Sequence, residues 1–341
     1  MTWDIDFFSA KLYLTMHILL VNNSVIPALK YGGTERVIWW LGKMLVKMGH
    51  QVSYLVAKGS SCPFAEVYEW DPSRSFNSQV PDSVDVVHLS SYMGEKPVKP
   101  YIITLHGNVG EMIDLDQNTV FVSRNHASRY GSECFVHNCI DTEDYGKPDL
   151  TSKRNYIHFL ADAAWRVKNV RGAIKIARKA GVPLEVIGGV RFNFNMGIRL
   201  TFDMNTHFNG MKGGEEKNNI INGSRGLLFP VLWHEPFGIA LIESLYFGCP
   251  VIGTPYGSLP ELIPAEVGFL SAKKEELVTA VKNIDDFDRT TCHHYVMEHF
   301  TSDKMAFQYI SLYKKVLNGE YLNPISPKLI RVQHEKFLPF D

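Results

Sequence analysis

Residues 226–254 read GLLFPVLWHEPFGIALIESLYFGCPVIGT and contain a complete strand–loop–helix–strand unit. The run GLLFPVL is short and almost entirely apolar, which is typical of a parallel strand buried on both faces. A helix is expected from Phe237 to Phe247, after which PVIGT resumes as a strand. This order predicts a parallel pair of strands whose ligand side lies at their carboxyl ends.

The same alternation extends through the rest of the sequence. MHILLVN, which begins at Met16, predicts a strand, a glycine-containing loop follows it, and an amphipathic helix is expected from Thr34 to Met48 before the helix stop at Gly49. We therefore predict an α/β protein with two doubly wound, Rossmann-like parallel sheets facing a cleft. The other strands expected are QVSYLVA, VDVVHLS, YIITLHG, TVFVS, CFVHNCI, NYIHFLA and LEVIGG, whereas residues 191–209 are rich in Asn, Phe and Met and are left without an assigned element.

The length of 341 residues suits two domains of about 150 residues each. Residues 142–155 are polar and contain glycine and proline, so we expect a linker there. This places an N-terminal domain at 1–150, with 1–15 as an extension, and a C-terminal domain at 151–305. A helix and tail at 306–341 are expected to return to the N-terminal domain.

Composition excludes several classes of protein. Hydrophobic residues make up 45% and charged residues 21%, which argues against extensive disorder, and a net charge of -1 offers no global attraction for nucleic acid. The 5 cysteines are widely spaced without a CxxC pair, which indicates reduced thiols. No apolar run approaches the roughly 18 residues of a membrane span, and no signal peptide is evident. We expect a cytoplasmic protein that could still contact a membrane surface peripherally.

Two glutamates mark the loop and helix that follow the strand GLLFPVL. The free N–H groups of a helix that opens at Phe237 and Gly238 suit a diphosphate or a sugar hydroxyl. Glu235 and Glu243 would lie about 12 Å apart on a continuous helix, which is comparable to the reach of a nucleotide sugar from hexose to ribose. Spacing alone favours the ordinary alternative, in which both glutamates lie on a solvated face.

Sequence context adds a resemblance. WHEPFGIALIES, followed by GCPVIG and GSLPELI, resembles the donor-binding segment of retaining glycosyltransferases of family 4, which have the GT-B fold. Four further segments match that family in order over residues 16–317, although Cys139 stands where the family usually has glycine. These segments are YGGTERV, TLHGN, NCIDTEDYG and YIHFLADAAWRVKN.

The resemblance implies a metal-independent transfer of a hexose from a nucleoside-diphosphate sugar to an acceptor hydroxyl, with retention at the anomeric carbon. The acceptor would be an unknown sugar or lipid-linked molecule, as in bacterial-type polysaccharide or glycoconjugate synthesis. His106, Glu235 and Lys168 would be the catalytic residues, with His106 beside the donor sugar and Lys168 at the diphosphate. The implied donor-binding residues are Gly32, Gly33, Arg166, Phe237, Gly238, Ile239 and Glu243.

One position departs from the family pattern. Asp162 stands where the family has a phosphate-binding arginine, and Ala161 replaces the preceding glycine. Arg166 could supply the missing charge. The departure keeps two alternatives open, namely a nucleotide-sugar-binding GT-B protein with weak or no transfer activity and a sugar-nucleotide epimerase.

Other chemistries find little support in the sequence. Neither GxGxxG nor GxxxxGK[ST] occurs, which disfavours a nicotinamide dehydrogenase and a P-loop enzyme. Two DxD matches, at 114–116 and 286–288, are short enough to arise by chance, and the histidines near Cys292 fit no standard zinc spacing. We expect no metal and no cofactor. The donor base, the donor sugar and the acceptor are not encoded in any recognisable motif.

Overall fold

A computed structural model describes residues 15–28, 32–111 and 113–341 of the chain, so most of the predicted extension at 1–15 lies outside the described residues. Two six-stranded parallel sheets carry the fold, and helices flank them. The predicted fold class is confirmed. No helix within these ranges combines the length and apolarity needed to cross a bilayer.

The first sheet has the strand order β3-β2-β1-β4-β5-β6, and all of its pairs are parallel. β1 lies in the middle and is buried along its whole length, as its continuous apolar sequence predicts. The strands are β1 (His17–Val21), β2 (Gln51–Val56), β3 (Glu66–Glu69), β4 (Val86–Leu89), β5 (Tyr101–Leu105) and β6 (Thr119–Phe121).

The second sheet repeats this arrangement with the order β11-β8-β7-β12-β13-β14. Both sheets therefore reverse their winding direction beside the first strand of the domain, and such a switch point is where open α/β sheets bind ligands. The strands of this half are β7 (Tyr156–Leu160), β8 (Leu184–Ile187), β9 (Phe192–Asn193), β10 (Arg199–Leu200), β11 (Thr206–Phe208), β12 (Ser224–Phe229), β13 (Val251–Gly253) and β14 (Gly268–Leu270); β9 and β10 form a separate antiparallel pair.

The helices bury one apolar face each, as in α1, where Ile38, Leu41 and Leu45 recur at helical spacing and are buried. One cluster of buried apolar side chains runs through both domains. The helices are α1 (Gly33–Lys47), α2 (Arg124–Arg129), α3 (Val170–Ala180), α4 (Gly214–Asn222), α5 (Ile239–Tyr246), α6 (Leu259–Leu262), α7 (Lys274–Lys282), α8 (Arg289–His299) and α9 (Ser302–Leu317).

The prediction of a strand at CFVHNCI is wrong. Phe135 forms an isolated parallel bridge with Phe121, and Ile140 forms another with Thr301. The segment leaves the edge of β6 after a few residues because it must reach the junction between the domains. Val136, Cys139 and Ile140 are buried there, which is why the segment resembles a strand in the sequence.

The last helix and the tail connect both halves of the molecule. α9 packs against α1 and β5, and its Tyr313 hydroxyl lies 2.7 Å from Nδ1 of His88 on β4. The tail then follows the N-terminal domain as far as Arg331. Its final residues reach the C-terminal domain, where Leu338 N–H donates to the carbonyl of Leu232 at 2.8 Å.

Each sheet buries a histidine between hydroxyl groups. His88 lies between Tyr313 and Thr104, and His158 on β7 lies 2.7 Å from Ser224 Oγ and 2.8 Å from Ser244 Oγ. Burial lowers the pKa of each histidine to about 3. Both imidazoles are therefore neutral at physiological pH.

These histidines predict a loss of stability on the acidic side. The unfolded chain takes up protons near the ordinary pKa of about 6.5, whereas the folded chain takes them up only near pH 3. Stability should fall as pH drops below about 6.5, by about 2 kcal/mol per histidine at pH 5. Urea unfolding from pH 8 to pH 5 measures this. Replacing both histidines by glutamine should make the slope shallower without abolishing it, because burial also lowers the pKa of His106, His126 and His234. An unchanged slope would contradict the assignment.

Candidate functional site

A cavity of about 130 Å³ opens at the switch point of the second sheet. Leu160 and Ala161 at the end of β7 line it together with Phe229 at the end of β12. Arg36 of the N-terminal domain contributes to the same wall, so the cavity lies between the two domains. The cavity occupies the position at which this architecture binds ligands.

Two helices begin beside this cavity. Gly238 caps α5 with a φ of 85°, a left-handed conformation that disfavours other residues, and Ile239 opens the helix. Gly33 opens α1 after Gly32, and a β-carbon added to Gly33 would lie 3.5 Å from Ile239 Cδ1. The partial positive ends of both helices therefore lie near each other across the domain interface, which favours a bound anion.

Lys168 and Glu235 form an ion pair on the cavity wall. Lys168 Nζ lies 2.9 Å and 2.6 Å from the two carboxylate oxygens of Glu235, and the Trp233 indole N–H donates to one of them at 2.7 Å. The exposed fraction is 12% for the lysine side chain and 7% for that of the glutamate. The structure thus brings together two of the three predicted catalytic residues.

The segment GSLPELI holds the loop that carries Glu235. Ser258 N–H donates to the Glu235 carbonyl at 2.9 Å, and Ser258 Oγ donates to the Phe237 carbonyl at 2.7 Å. Phe237 itself is buried in the core and not exposed in the cavity. Gly257 has a φ of 64°, and a β-carbon there would lie 2.2 Å from Glu235 N. Only glycine allows the two loops to approach this closely.

Glu243 does not point freely into the cleft. Its side chain is 2% exposed, and its Oε1 accepts hydrogen bonds from Arg36, Lys217 and the Tyr145 hydroxyl. Although burial raises the pKa of Glu243, the neighbouring Arg36 and Lys217 hold that pKa well below its usual range. The carboxylate therefore remains charged and joins α1, α4 and α5 at one point.

Three cations of the cavity wall were missed in the sequence analysis. Arg36 lies in the quoted segment YGGTERV, one turn after Gly32, and its Nε donates a hydrogen bond to the Gly32 carbonyl at 3.3 Å. Lys212 and Lys217 belong to a polar stretch at α4 that carries no recognised motif. Four cations and two carboxylates line the cavity, and one of the cations, Lys212, also pairs with Glu216 outside the wall at 2.9 Å. The wall therefore has more positive than negative groups.

The structure separates Arg166 from this cavity. Its guanidinium lies 5.1 Å above the ring of Phe337, and it lines a neighbouring pocket instead. Asp162, at the family's arginine position, accepts a hydrogen bond from Ala164 N–H at 2.9 Å. It closes a local turn and is not among the residues that line the cavity.

His106 lies just beyond the end of β5 with its Nε2 buried and without a hydrogen-bond partner among the described residues. Burial lowers its pKa to about 4, so the ring is neutral. Nδ1 of His234, in the loop before Glu235, is likewise unpaired, and burial lowers the pKa of His234 to about 4. Buried nitrogens without partners are uncommon and mark places where a ligand can bind.

Direct hydrogen bonds cross the cleft beside these histidines. Asn108 Nδ2 donates to the His234 carbonyl at 2.9 Å, and Ser123 Oγ donates to the Pro236 carbonyl at 2.6 Å. Glu261 of α6 accepts from the N–H groups of Arg124 and Asn125 at the start of α2. The loop that carries Glu235 is therefore fixed from both domains.

The described residues contain no group of three or more His, Cys, Asp or Glu placed to hold a metal ion. Asp116, from one DxD match, accepts a hydrogen bond from the Tyr101 hydroxyl at 2.7 Å. Asp286, from the other, is exposed in a 3₁₀ turn. Cys292 is a buried free thiol.

Gly257→Ala should disturb the Glu235 loop because the new β-carbon would collide with backbone atoms. Gly59 provides a matched control, since it also has a positive φ of 89° but nothing lies within 4 Å. Gly59→Ala should cost about 1 kcal/mol of stability, as a left-handed alanine does, and Gly257→Ala at least about 2 kcal/mol more. Urea unfolding measures both, and equal losses would contradict the packing described.

Sequence comparisons find similarity to known proteins in part of the chain. Residues 141–287 match the family model described as Glycosyl transferases group 1. A stretch of 95 residues is 33% identical to the probable sucrose-phosphate synthase of Thermosipho melanesiensis. The match covers 27% of this chain and 22% of that protein, so it spans about a fifth of the curated relative.

The fold is similar to that of solved structures over most of the chain. AviGT4, a glycosyltransferase involved in avilamycin A biosynthesis, has a TM-score of 0.74 at 19% identity, and the alignment covers 89% of this chain and 98% of that one. Anabaena Alr3699/HepE in complex with UDP and glucose has a TM-score of 0.66 at 13% identity, covering 88% and 99%. The fold is GT-B, and residues 141–287 are similar in sequence to group 1 glycosyltransferases.

Proposed function

We propose that this chain, with its GT-B fold and its similarity to group 1 glycosyltransferases, transfers a hexose from a nucleoside-diphosphate sugar to an acceptor hydroxyl with retention of configuration. In this proposal residues 151–305 bind the donor and residues 1–150 bind the acceptor. A role in polysaccharide or glycoconjugate synthesis and a cytoplasmic location belong to the same proposal.

The charge of the cavity supports this proposal most directly. The protein as a whole has a net charge of -1, yet the cavity wall has two more cations than carboxylates. The N-termini of α1 and α5 add their partial positive charges at the same place. A diphosphate carries the complementary charge and fits a site between two helix ends.

Departure of the nucleoside diphosphate leaves negative charge on its phosphate oxygens, and the barrier falls if fixed positive groups already face that charge. Lys168 and the N–H groups at Gly238 and Ile239 would supply this stabilisation from the C-terminal domain. Arg36 and the start of α1 would supply it from the N-terminal domain. No metal ion is required in this scheme, because the chain's own cations neutralise the leaving group.

Glu235 is a positioning residue in this proposal. Lys168 contacts both of its oxygens and Trp233 contacts one, so the carboxylate is engaged rather than free to attack a sugar carbon. A diphosphate that draws Lys168 toward itself would release carboxylate lone pairs for the hydroxyls of the donor sugar. Substrate binding and sugar positioning would then be coupled through one ion pair.

His106 would contact the donor sugar as a neutral imidazole. Its Nε2 is buried and unpaired among the described residues and does not line the cavity, so it would exchange a hydrogen bond with a sugar hydroxyl once the domains move to admit the donor. Its pKa of about 4 keeps the ring uncharged at physiological pH. A neutral ring avoids repulsion with the positive charge that develops at the anomeric carbon as the leaving group departs.

Lys168→Met should lower transfer by about a hundredfold or more, as loss of a group that stabilises a transition state does. Glu235→Gln should lower transfer while it keeps much of the loop geometry. Radiolabelled or mass-spectrometric product assays measure both. Lys304→Met on the exposed face of α9 is the matched control and should retain activity. Because Lys168→Met leaves Glu235 buried and unpaired, thermal unfolding must be followed in parallel. Full activity of both site variants would contradict the proposed site.

Nucleotide sugars should stabilise the protein against heat, since a ligand that binds only the folded chain adds about 2.7 kcal/mol at a hundred times its dissociation constant. UDP-glucose is the first candidate because Alr3699/HepE was solved with UDP and with glucose; GDP- and ADP-sugars complete the series. Stabilisation should persist in EDTA. Binding without transfer to any acceptor would favour the alternative of a binding protein, and proton NMR of the product would show whether configuration is retained.

A further inference from the structure

A hairpin on the C-terminal domain exposes its apolar face to solvent. Between β8 and β11 the chain forms the antiparallel pair β9–β10, and every second side chain from 190 to 204 is large, apolar and 49% to 81% exposed. The alternate positions Asn193, Arg199 and Thr201 are buried. The exposed side chains are Val190, Phe192, Phe194, Met196, Ile198, Leu200, Phe202 and Met204. We call this set the apolar face.

The inward polar groups lock this orientation. Buried Arg199 donates to the Val190 carbonyl at 2.8 Å and to Thr201 Oγ1 at 3.0 Å. Asn193 donates to the carbonyls of Asn195 and Gly197. A shift by one residue would place the apolar side chains inside but would break these bonds and leave buried polar groups unpaired. The outward face is therefore built into the register of the hairpin.

Basic side chains border the apolar face. Arg171, Lys175 and Arg178 lie on the outer face of α3 and line a groove of about 700 Å³ together with Leu200, Phe202 and Met204. No described carboxylate lies within ion-pair distance of these three cations, whereas the adjacent Lys179 pairs with Glu275. Asp203, the acidic residue in the groove, accepts a hydrogen bond from Asn205 N–H.

We propose that the apolar face and the cations of α3 dock the protein onto an anionic lipid bilayer. Contiguous exposed apolar surface marks an interaction site, whereas single exposed hydrophobic side chains do not. Phe, Met, Ile and Leu on a hairpin can enter the boundary between headgroups and acyl chains, while Arg and Lys remain at the level of the phosphates. A symmetric pairing of two copies through this surface would bring like cations together, which disfavours a dimer.

The apolar face and the cations of α3 lie beside the loop that carries Lys168. Arg171 Nη2 donates to the Ile198 carbonyl at 2.6 Å, and a β-carbon on Gly197 would lie 3.9 Å from Arg166 Cδ. Arg166 opens the 3₁₀ turn that ends at Lys168. A docked bilayer would thus lie close to the cleft, which suits a lipid-linked acceptor. Only this last consequence rests on the proposed function; the docking does not.

Sedimentation of the purified full chain with vesicles tests the proposal. Binding is expected to phosphatidylcholine vesicles that contain phosphatidylglycerol, with weaker binding to phosphatidylcholine alone and weaker binding at high salt. Phe194→Ser with Met196→Ser should reduce binding to both kinds of vesicle by at least about tenfold. Lys175→Gln with Arg178→Gln should reduce binding to anionic vesicles alone, by about tenfold or more.

Matched controls lie elsewhere on the surface. Phe307→Ser on α9 and Lys282→Gln on α7 replace exposed residues of the same types and should bind vesicles like the unmodified chain. Circular dichroism checks that each variant is folded. Absence of vesicle binding by the unmodified chain, or equal binding by all variants, would overturn the proposal. A dimer that the Phe194→Ser and Met196→Ser pair dissociates, without vesicle binding, would also overturn it. Nucleotide-sugar binding by the same variants should be unchanged, which separates this test from that of the proposed function.

Discussion

A buried carboxylate joins the parts of this protein. The carboxylate of Glu243 on α5 accepts hydrogen bonds from Arg36 of α1, from Lys217 of α4 and from the Tyr145 hydroxyl at the domain junction. A charge so deeply buried is tolerated only if its partners are held in place. The two domains must therefore meet with α1 against α5, and this contact also brings the starts of both helices to one cavity. The geometry that suits an anion follows from how the charge of Glu243 is satisfied.

The sheets were predictable because their chemistry is local and repetitive. Buried parallel strands read as short apolar runs, and GLLFPVL or MHILLVN can be placed without reference to the rest of the chain. CFVHNCI has the same composition but is apolar because it is buried at the junction, which depends on contacts distant in the sequence. The hairpin at 192–200 escaped assignment although apolar and polar residues alternate along it, a pattern that is typical of strands. The sequence could not show that the apolar side faces solvent and the polar side is buried.

The site was predictable where a motif preserves backbone geometry. Glu235, Gly238 and the start of α5 follow β12 directly, and Lys168 lies in the loop after the neighbouring parallel strand β7, so the carboxyl ends of the two strands bring these residues to one cavity. Side-chain direction was not predictable at the same level. Arg166 lies two residues from Lys168, yet it stacks on Phe337, a tail residue that approaches from far along the chain. Lys217 has no motif at all, and only the tertiary fold brings it to its partner Glu243 on α5.

The structure changes how Asp162, at the family's arginine position, should be interpreted. An aspartate in the place of a phosphate-binding arginine suggests repulsion only if its carboxylate faces the phosphate. Here the carboxylate closes a turn with Ala164 N–H, while Arg36 and Lys217 bring positive charge to the cavity from other elements. The cavity therefore keeps its positive charge without an arginine at position 162, but the cations come from other elements of the fold. Because Arg36 belongs to the other domain, the charge of the cavity depends on how closely the domains meet. A donor diphosphate would be held best in the closed arrangement, so domain closure and anion binding should reinforce each other.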